Sequence, residues 1–160
     1  MNQGPPLANA PRVVRILHTA LLGGLILSGA TLYLARRLSQ PPPPPVGEAR
    51  VLTLVLAVVS VGVLVIAVGM LRPRVPERRS EQNPEAYWTD ASRAAAIVLW
   101  AAIEGAGLVG AVGYFLTAAA APTVAYALAL AALVLFRPGR LEGDGGTQRP
   151  TEPDGRGRVS

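Results

Sequence analysis

Glu104 is the residue of this chain whose type and position best suit chemistry. It is the only acidic residue within four long apolar runs, and it lies near the middle of the third, Ala94–Leu116. An ionisable side chain inside a membrane span is costly and often marks an ion or proton pathway. Glu104 could therefore bind a proton or a cation. It could equally be a neutral acid that fixes helix packing through a hydrogen bond to Thr19, Ser28 or Ser60.

Glycines surround this acid in the third run and recur in the first. Gly105, Gly107 and Gly110 match the G-x-G-x-x-G pattern of dinucleotide-binding loops, but that loop must follow a strand and open a helix. Inside an apolar run, small residues instead allow helices to approach closely. We therefore predict that the first and third helices form the tightly packed inner pair. The candidate packing residues are Gly24, Gly29, Gly105, Gly107, Gly110 and Gly113.

Other reactive residue types are scarce. The chain has no cysteine and one histidine, His18, which could supply one axial haem ligand or a proton relay but is better interpreted as an interfacial side chain. No nucleophile–base pair or metal-ligand set lies within the apolar runs. We therefore expect no catalytic residue, no metal site and no cofactor, and a protein that is not an enzyme.

The aromatic residues of the apolar runs also allow two interpretations. Trp100, Tyr33, Tyr114 and Tyr126 could together form a binding cage. Tyr33 and Tyr114 fall near the same end of their helices, however, and aromatic side chains gather at membrane surfaces. An aromatic belt is therefore our preferred interpretation.

The apolar runs predict an all-α fold, an integral membrane four-helix bundle. Half of the residues (51%) are hydrophobic, the mean hydropathy is +0.37, and runs of about 20 apolar residues are long enough to cross a bilayer. The fourth run is only barely long enough. We expect disordered tails at 1–11 and 139–160 and a membrane domain at 12–138. Its spans are about 13–38, 49–72, 90–117 and 119–137, with a polyproline loop at 41–45 and a charged loop at 73–89.

The arginines predict how the protein sits in the membrane. All fifteen basic residues are arginine, and twelve fall on the side of both termini and the second loop, whereas Arg36, Arg37 and Arg50 fall on the other. Basic residues accumulate on the cytoplasmic side. We therefore expect an inner-membrane protein with cytoplasmic termini, in contact with membrane lipids and not with nucleic acid.

The chain also repeats internally. Residues 20–35 align with 101–116 without gaps, and six of sixteen positions are identical, among them Gly24 with Gly105 and Tyr33 with Tyr114. This similarity predicts two duplicated transmembrane hairpins, although two Ala- and Gly-rich helices could also match by chance. In the alignment Glu104 corresponds to Gly23, where a small residue could leave room for the carboxyl group.

Two families resemble this chain. The stretch 96–117, with Trp100, Glu104-Gly105, Leu108-Val109-Gly110 and a Phe-Leu-Thr ending, resembles the third helix of small uncharacterised four-helix bacterial membrane proteins. Phe136-Arg137-Pro138 resembles the end of their fourth helix. That resemblance implies a fold and a membrane location but no activity. The two hairpins and the single buried carboxylate are also similar, in architecture only, to the proteolipid subunits of rotary ATPases, which carry a proton or sodium ion.

These observations favour a non-enzymatic structural or assembly subunit of the membrane, as a homo-oligomer or part of a larger membrane complex. The alternative is a proton- or sodium-binding carrier that uses Glu104. This chain differs from the proteolipid subunits in the position of the carboxylate. In those subunits it lies on the second helix of a hairpin, whereas Glu104 lies on the first. The proteolipid hairpin loop also faces the cytoplasm, whereas the arginines of this chain predict that its hairpin loops lie on the opposite side of the membrane.

Overall fold

The computed structural model describes residues 9–40, 42, 45–76, 78 and 82–142, and within these ranges the chain is helical, without a strand. There are four long helices, a distorted segment after the second, and two short helices, one before the third long helix and one after the fourth. In chain order the elements are α1 (Ala10–Ser39), α2 (Val46–Ile66) with a π turn (Ala67–Leu71) and a 3-10 turn (Arg72–Arg74), α3 (Pro84–Tyr87), α4 (Asp90–Thr117), α5 (Ala120–Leu135) and α6 (Pro138–Leu141).

Three of these helical segments are long and apolar enough to cross a membrane. They are Ala10–Ser39, Val46–Arg74 and Asp90–Thr117. The fourth apolar helix, α5, is shorter at 16 residues, and at about 1.5 Å per residue it covers about 24 Å. The apolar runs therefore mark a membrane protein.

The central helix is α4. Of the most apolar 18-residue stretch of each helix, 44% of the residues are buried in α4, against 17% in α1 and 11% in α2. All three other long helices pack against α4, whereas α1 and α2 make few contacts with each other. This arrangement differs from the expected inner pair, because α1 lies at the periphery and only α4 is enclosed.

Contacts between side chains give the helix directions. Gly24 and Tyr33 of α1 meet Glu104 and Tyr114 of α4, so these two helices run parallel. Both α2 and α5 run antiparallel to α4, because residues further along α2 or α5 contact residues earlier in α4. The result is an up–down–up–down arrangement in which α4 has a neighbour on three sides.

Local signals define the ends of α4. Thr89 caps the start of α4, because its hydroxyl accepts from the Ser92 N–H at 3.3 Å. At the other end Ala118 adopts a left-handed conformation (φ 53°) and donates its N–H to the Tyr114 carbonyl. The chain then enters α5 within two residues, which forces α4 and α5 into a tight hairpin.

The boundaries differ from the predicted ones at both ends of the membrane domain. α1 already begins at Ala10, inside the segment 1–11 that we expected to be a tail. Likewise, the segment Pro138–Leu141 is helical, and both Leu141 and Glu142 are buried, although the predicted tail began at 139. Both extensions occur because these residues pack against the bundle. The rest of the two predicted tails, and most of the polyproline loop 41–45, lie outside the described residues.

Candidate functional site

Glu104 lies on the side of α4 that faces α1. Its Oε1 is 3.4 Å from the position that a Cβ would occupy on Gly24, which is ordinary van der Waals contact. Gly23, the neighbour of Glu104 that the repeat suggested, is not in contact with it, because a Cβ on Gly23 would have no atom within 4 Å. Residues at equivalent positions of a repeat need not be in contact. The rotation of α1 about its own axis places Gly24, and not Gly23, opposite the Glu104 carboxylate.

The Glu104 carboxylate has no hydrogen bond to any part of the chain that the structure describes. Two of the three expected partners are engaged elsewhere: Thr19 donates to the Arg15 carbonyl, and Ser60 donates to the Ala106 carbonyl at 2.7 Å. The side chain is also only partly buried. A polar group thus lies near the middle of an apolar helix without a hydrogen bond. Its hydrogen-bond partner would have to come from outside the described bundle.

Beside Glu104 is a strip of α4 that no other described helix covers. Its residues follow the alternating spacing of three and four that places side chains on one face of a helix. Val98, Leu108 and Val112 are 53%, 36% and 39% exposed, and a Cβ on Gly105 would meet no atom within 4 Å. We call this strip the open face of α4; it comprises Val98, Ala101, Gly105, Leu108 and Val112.

The glycines of the opposite faces of α4 are tightly packed. A Cβ on Gly110 would lie 2.8 Å from the backbone nitrogen of Tyr126, so α4 and α5 approach backbone to backbone. Gly113 faces Pro122 and Leu56, and Gly107 faces Leu25 and Ala129. Of the candidate glycines, Gly110 and Gly113 therefore pack mainly on α5. Gly107 packs on both α1 and α5, whereas Gly105 packs on nothing in the described chain.

Gly24 and Gly29 of α1 each receive a side chain from a neighbouring helix. Gly24 faces Glu104, as described above, and Gly29 faces Tyr126, whose hydroxyl would overlap a Cβ at that position. The Tyr126 hydroxyl donates to the Leu25 carbonyl at 3.1 Å. These glycines thus make room for large side chains rather than for helix backbones.

His18 is buried rather than interfacial. Its Nε2 lies 3.0 Å from the Leu133 carbonyl, and its ring meets Trp100 edge-on at 5.0 Å between centroids. Trp100 donates from Nε1 to the Phe136 carbonyl at 2.8 Å. These two carbonyls belong to the end of α5, where a helix leaves acceptors unsatisfied. His18 and Trp100 therefore fasten the end of α5 to α1 and α4.

Hydrogen bonds to Glu142 extend this polar contact region at the same end of the bundle. Glu142, 7% exposed, accepts from Trp88 Nε1 at 2.8 Å and from Arg15 at 3.1 Å. Arg78 donates to its carbonyl at 3.1 Å. Four buried side chains, His18, Trp88, Trp100 and Glu142, form what we call the buried polar cluster. Arg15, whose side chain is 61% exposed, binds Glu142 at its edge. Sequence reasoning missed Trp88 and Glu142, and an isolated tryptophan in a polar loop was the only signal for them.

Tyr87 packs against Trp88 on the loop side of the cluster. Its hydroxyl donates to the Pro76 carbonyl at 2.8 Å, and its ring meets Trp88 edge-on at 4.8 Å. Burial raises the pKa of Tyr87, and Glu142 adds to this while Arg72 opposes it. A tyrosine hydroxyl is already protonated at neutral pH, and the raised pKa of Tyr87 keeps it a hydrogen-bond donor to higher pH.

The four aromatic residues that could have formed one cage are divided between two places. Trp100 is fully buried in the cluster, whereas Tyr33, Tyr114 and Tyr126 line one cavity between α1, α4 and α5. Tyr33 and Tyr114 stack at 5.8 Å between ring centroids.

Among the described residues, no three His, Cys, Asp or Glu side chains lie close enough together to hold a metal ion. No protein-family model, curated protein or solved structure matches the chain.

Proposed function

We propose that this chain is a multi-pass protein of the cell inner membrane with a structural or assembly role and no enzymatic activity. In this proposal the open face of α4 binds a second copy of the chain. Four spans cross the membrane, the fourth being the short α5, and both termini lie in the cytoplasm. The two pairs of consecutive helices, α1–α2 and α4–α5, derive from one duplication, although only α4 and α5 pack closely on each other.

The observation that carries the proposal is that the Glu104 carboxylate, beside the open face, has no hydrogen-bond partner among the described residues. A charged side chain at the centre of a bilayer costs about 3 kcal/mol or more, and even a neutral acid loses its hydrogen bonds to water. A second copy packed on this face would shield Glu104 from lipid and bring hydroxyl, carboxyl or backbone partners to it.

The shape of the open face favours a second copy as its occupant. Ala101 and Gly105 form a small-xxx-small pair, which allows two helices to approach closely enough for backbone contact. The alternating spacing from Val98 to Val112 is the pattern of left-handed helix pairs. A face of this kind is complementary to itself across a two-fold axis.

Geometry also supports the proposed duplication. The repeat alignment pairs Tyr33 with Tyr114, and these two rings stack on each other across parallel helices. Gly24 and Glu104, which differ by one position from equivalence, are also in contact. Helices α1 and α4 therefore lie side by side nearly in the register of the alignment.

Cysteine cross-linking tests the proposed dimer, and the native chain is suitable because it contains no cysteine. Leu108→Cys places a thiol on the open face. Val58→Cys places one on the exposed side of α2 at a similar depth, because its neighbours Leu56 and Ser60 contact Gly113 and Ala106 of α4. In native membranes under oxidising conditions we expect a disulfide-linked dimer from Leu108→Cys and none from Val58→Cys.

A dimer from both variants would indicate random collision, and a dimer from neither would refute self-association through this face. Cross-links from Leu108→Cys to a different protein, without any dimer, would show that a larger complex covers the face instead.

The same carboxylate supports one alternative, a carrier in which Glu104 binds a proton or a sodium ion. Its partial exposure and its lack of a hydrogen-bond partner in the described chain favour this reading. A carbodiimide reacts with a protonated carboxyl group in an apolar setting. A carrier should therefore be labelled in membranes in a pH-dependent manner, with protection by sodium if sodium is the ion, and Glu104→Gln should abolish labelling. Absence of specific labelling in the wild type would remove this alternative.

A further inference from the structure

Between α1, α4 and α5, towards the end of the bundle where α1 finishes, is a cavity of about 140 Å³. Its lining residues are Gly29, Tyr33, Ala111, Tyr114, Thr123 and Tyr126. For comparison, an apolar cavity of about 150 Å³ stays dry and accepts a group of the size of benzene. This space is therefore large enough for a short segment of a hydrocarbon chain.

The cavity is apolar even though four of its lining residues carry hydroxyl groups, because most of these hydroxyls are engaged elsewhere. Tyr126 donates to the Leu25 carbonyl at 3.1 Å, and Thr123 donates to the Ala119 carbonyl at 3.1 Å. The Tyr33 hydroxyl accepts from Arg37 Nε at 3.2 Å. The cavity thus presents ring faces and carbon atoms, which suit an apolar ligand and not a sugar or an amino acid.

A positive charge lies next to the cavity, in contact with the lining residue Tyr33. Gly29, Tyr33 and Arg37 are spaced by four along α1 and so lie on one face of the helix. The Arg37 guanidinium is 5.4 Å from the centroid of the Tyr33 ring and is exposed. Arg37 follows the apolar stretch of α1, so in a membrane its guanidinium would lie near the depth of the lipid phosphates.

The neighbouring Arg36 has a different role. Its Nη1 donates to the Phe115 carbonyl, which is among the unsatisfied acceptors at the end of α4. A cation there also offsets the negative end of the helix dipole. Arg36 is partly buried against the end of α4, whereas Arg37 is exposed, so Arg37 is the guanidinium better placed to hold an anionic ligand at this site.

We propose that this cavity binds one acyl chain of an anionic phospholipid whose phosphate group is held by Arg37. The tyrosine rings and Ala111 contact the hydrocarbon. Arg37, positioned by its stacking on Tyr33, selects for negative charge through charge-assisted hydrogen bonds. The proposal requires the helices to lie in a membrane but is independent of whether the open face of α4 binds a second copy.

Native mass spectrometry of the purified protein in a neutral detergent tests the headgroup part. Phosphatidylglycerol and phosphatidylcholine with identical acyl chains are added separately, and the fraction of protein that retains one lipid is measured. We expect phosphatidylglycerol to be retained about fivefold better, the effect of roughly one surface arginine. Arg37→Gln should remove this preference and leave retention of phosphatidylcholine unchanged.

Arg12→Gln is the matched control, because Arg12 is an exposed arginine at the opposite end of the same helix. It should keep the full preference. The headgroup assignment would be overturned by equal retention of both lipids in the wild type, or by a preference that survives in Arg37→Gln. Loss of the preference in Arg12→Gln as well would mean that net charge, and not this site, selects the lipid.

Filling the cavity tests the acyl-chain part. Ala111→Leu adds bulk to the cavity wall and should weaken retention of both lipids by the same factor, with the preference for phosphatidylglycerol intact. Thr123→Leu does the same from the exposed side of α5, where the fold has room for it. Circular dichroism establishes which variants are folded, and unchanged lipid retention in the folded variants would refute the cavity as the binding site.

Discussion

At the scale of single residues, the glycines of α4 have two different roles although they form one continuous pattern in the sequence. A Cβ on Gly110 would collide with the backbone of α5, whereas a Cβ on Gly105 would meet open space. The first glycine is required by packing inside the bundle. The second is not required by any contact within the described chain, which is why we assign it to a contact with a partner.

This difference predicts opposite effects of the same substitution. Gly110→Ala should destabilise the protein by about 1–3 kcal/mol, because the added methyl group pushes α5 away. Gly105→Ala should leave the free energy of unfolding unchanged or raise it by up to about 1 kcal/mol, because alanine favours the helix. Unfolding in detergent micelles, followed by the fluorescence of Trp88 and Trp100, measures both. An equal loss of stability in the two variants would contradict the two roles.

Some residues of the candidate site were predictable from the sequence, and others were not, for definable reasons. Glu104 stands out because a lone acid in an apolar run is visible without a structure. Its neighbour Gly24 was not predictable, because an offset of one residue between helices depends on their rotation. Trp88 and Glu142 were not predictable either, since their hydrogen bond joins two polar segments with the composition of a loop and a tail.

At the scale of elements, the turn between α4 and α5 is the most constrained connection in the described chain. Ala118 has a left-handed backbone, which costs a residue with a Cβ about 1–2 kcal/mol. Thr117 stabilises the turn, because its hydroxyl donates to the Gly113 carbonyl and accepts from the Ala119 N–H. The short turn holds Gly110 and Gly113 against the start of α5.

Relief of that backbone strain should stabilise the hairpin. We expect Ala118→Gly to raise the free energy of unfolding by about 1 kcal/mol, after the extra freedom of glycine in the unfolded chain is taken into account. Ala127→Gly is the matched control on the exposed side of α5, and it should lower stability by about 1 kcal/mol. A loss of stability in both variants would show that the left-handed conformation at Ala118 is not strained.

The number of long helices and their approximate ends followed from the apolar runs. Which helix lies at the centre did not follow, because α1 and α4 carry almost the same pattern of small residues. In the structure, α4 is central because of its contacts with other helices, above all the close approach of α5 to Gly110. Such contacts cannot be read from the sequence of one helix.

At the scale of the whole molecule, the two ends of the bundle are built differently. One end holds the buried polar cluster, whereas the other carries Arg36, Arg37 and the stacked tyrosines around an apolar cavity. The arginine distribution assigns the cluster to the cytoplasmic side in our proposed orientation.

Labelling of single cysteines tests that orientation. Gln40 and Glu85 are both exposed and lie at opposite ends of the bundle, Gln40 after α1 and Glu85 in α3. In spheroplasts we expect a membrane-impermeant maleimide to label Gln40→Cys directly and Glu85→Cys only after lysis. The reverse pattern would place both termini outside the cytoplasm.

The buried polar cluster also has a consequence for biogenesis. Arg15 and Glu142 are 127 positions apart, so the acceptor for Arg15 and for the Trp88 indole is translated only after all four long helices. Contacts between such distant parts of a chain form late. We therefore expect a newly inserted bundle to carry an unsatisfied tryptophan N–H until α6 docks, which makes the docking of this four-residue helix the step that completes assembly.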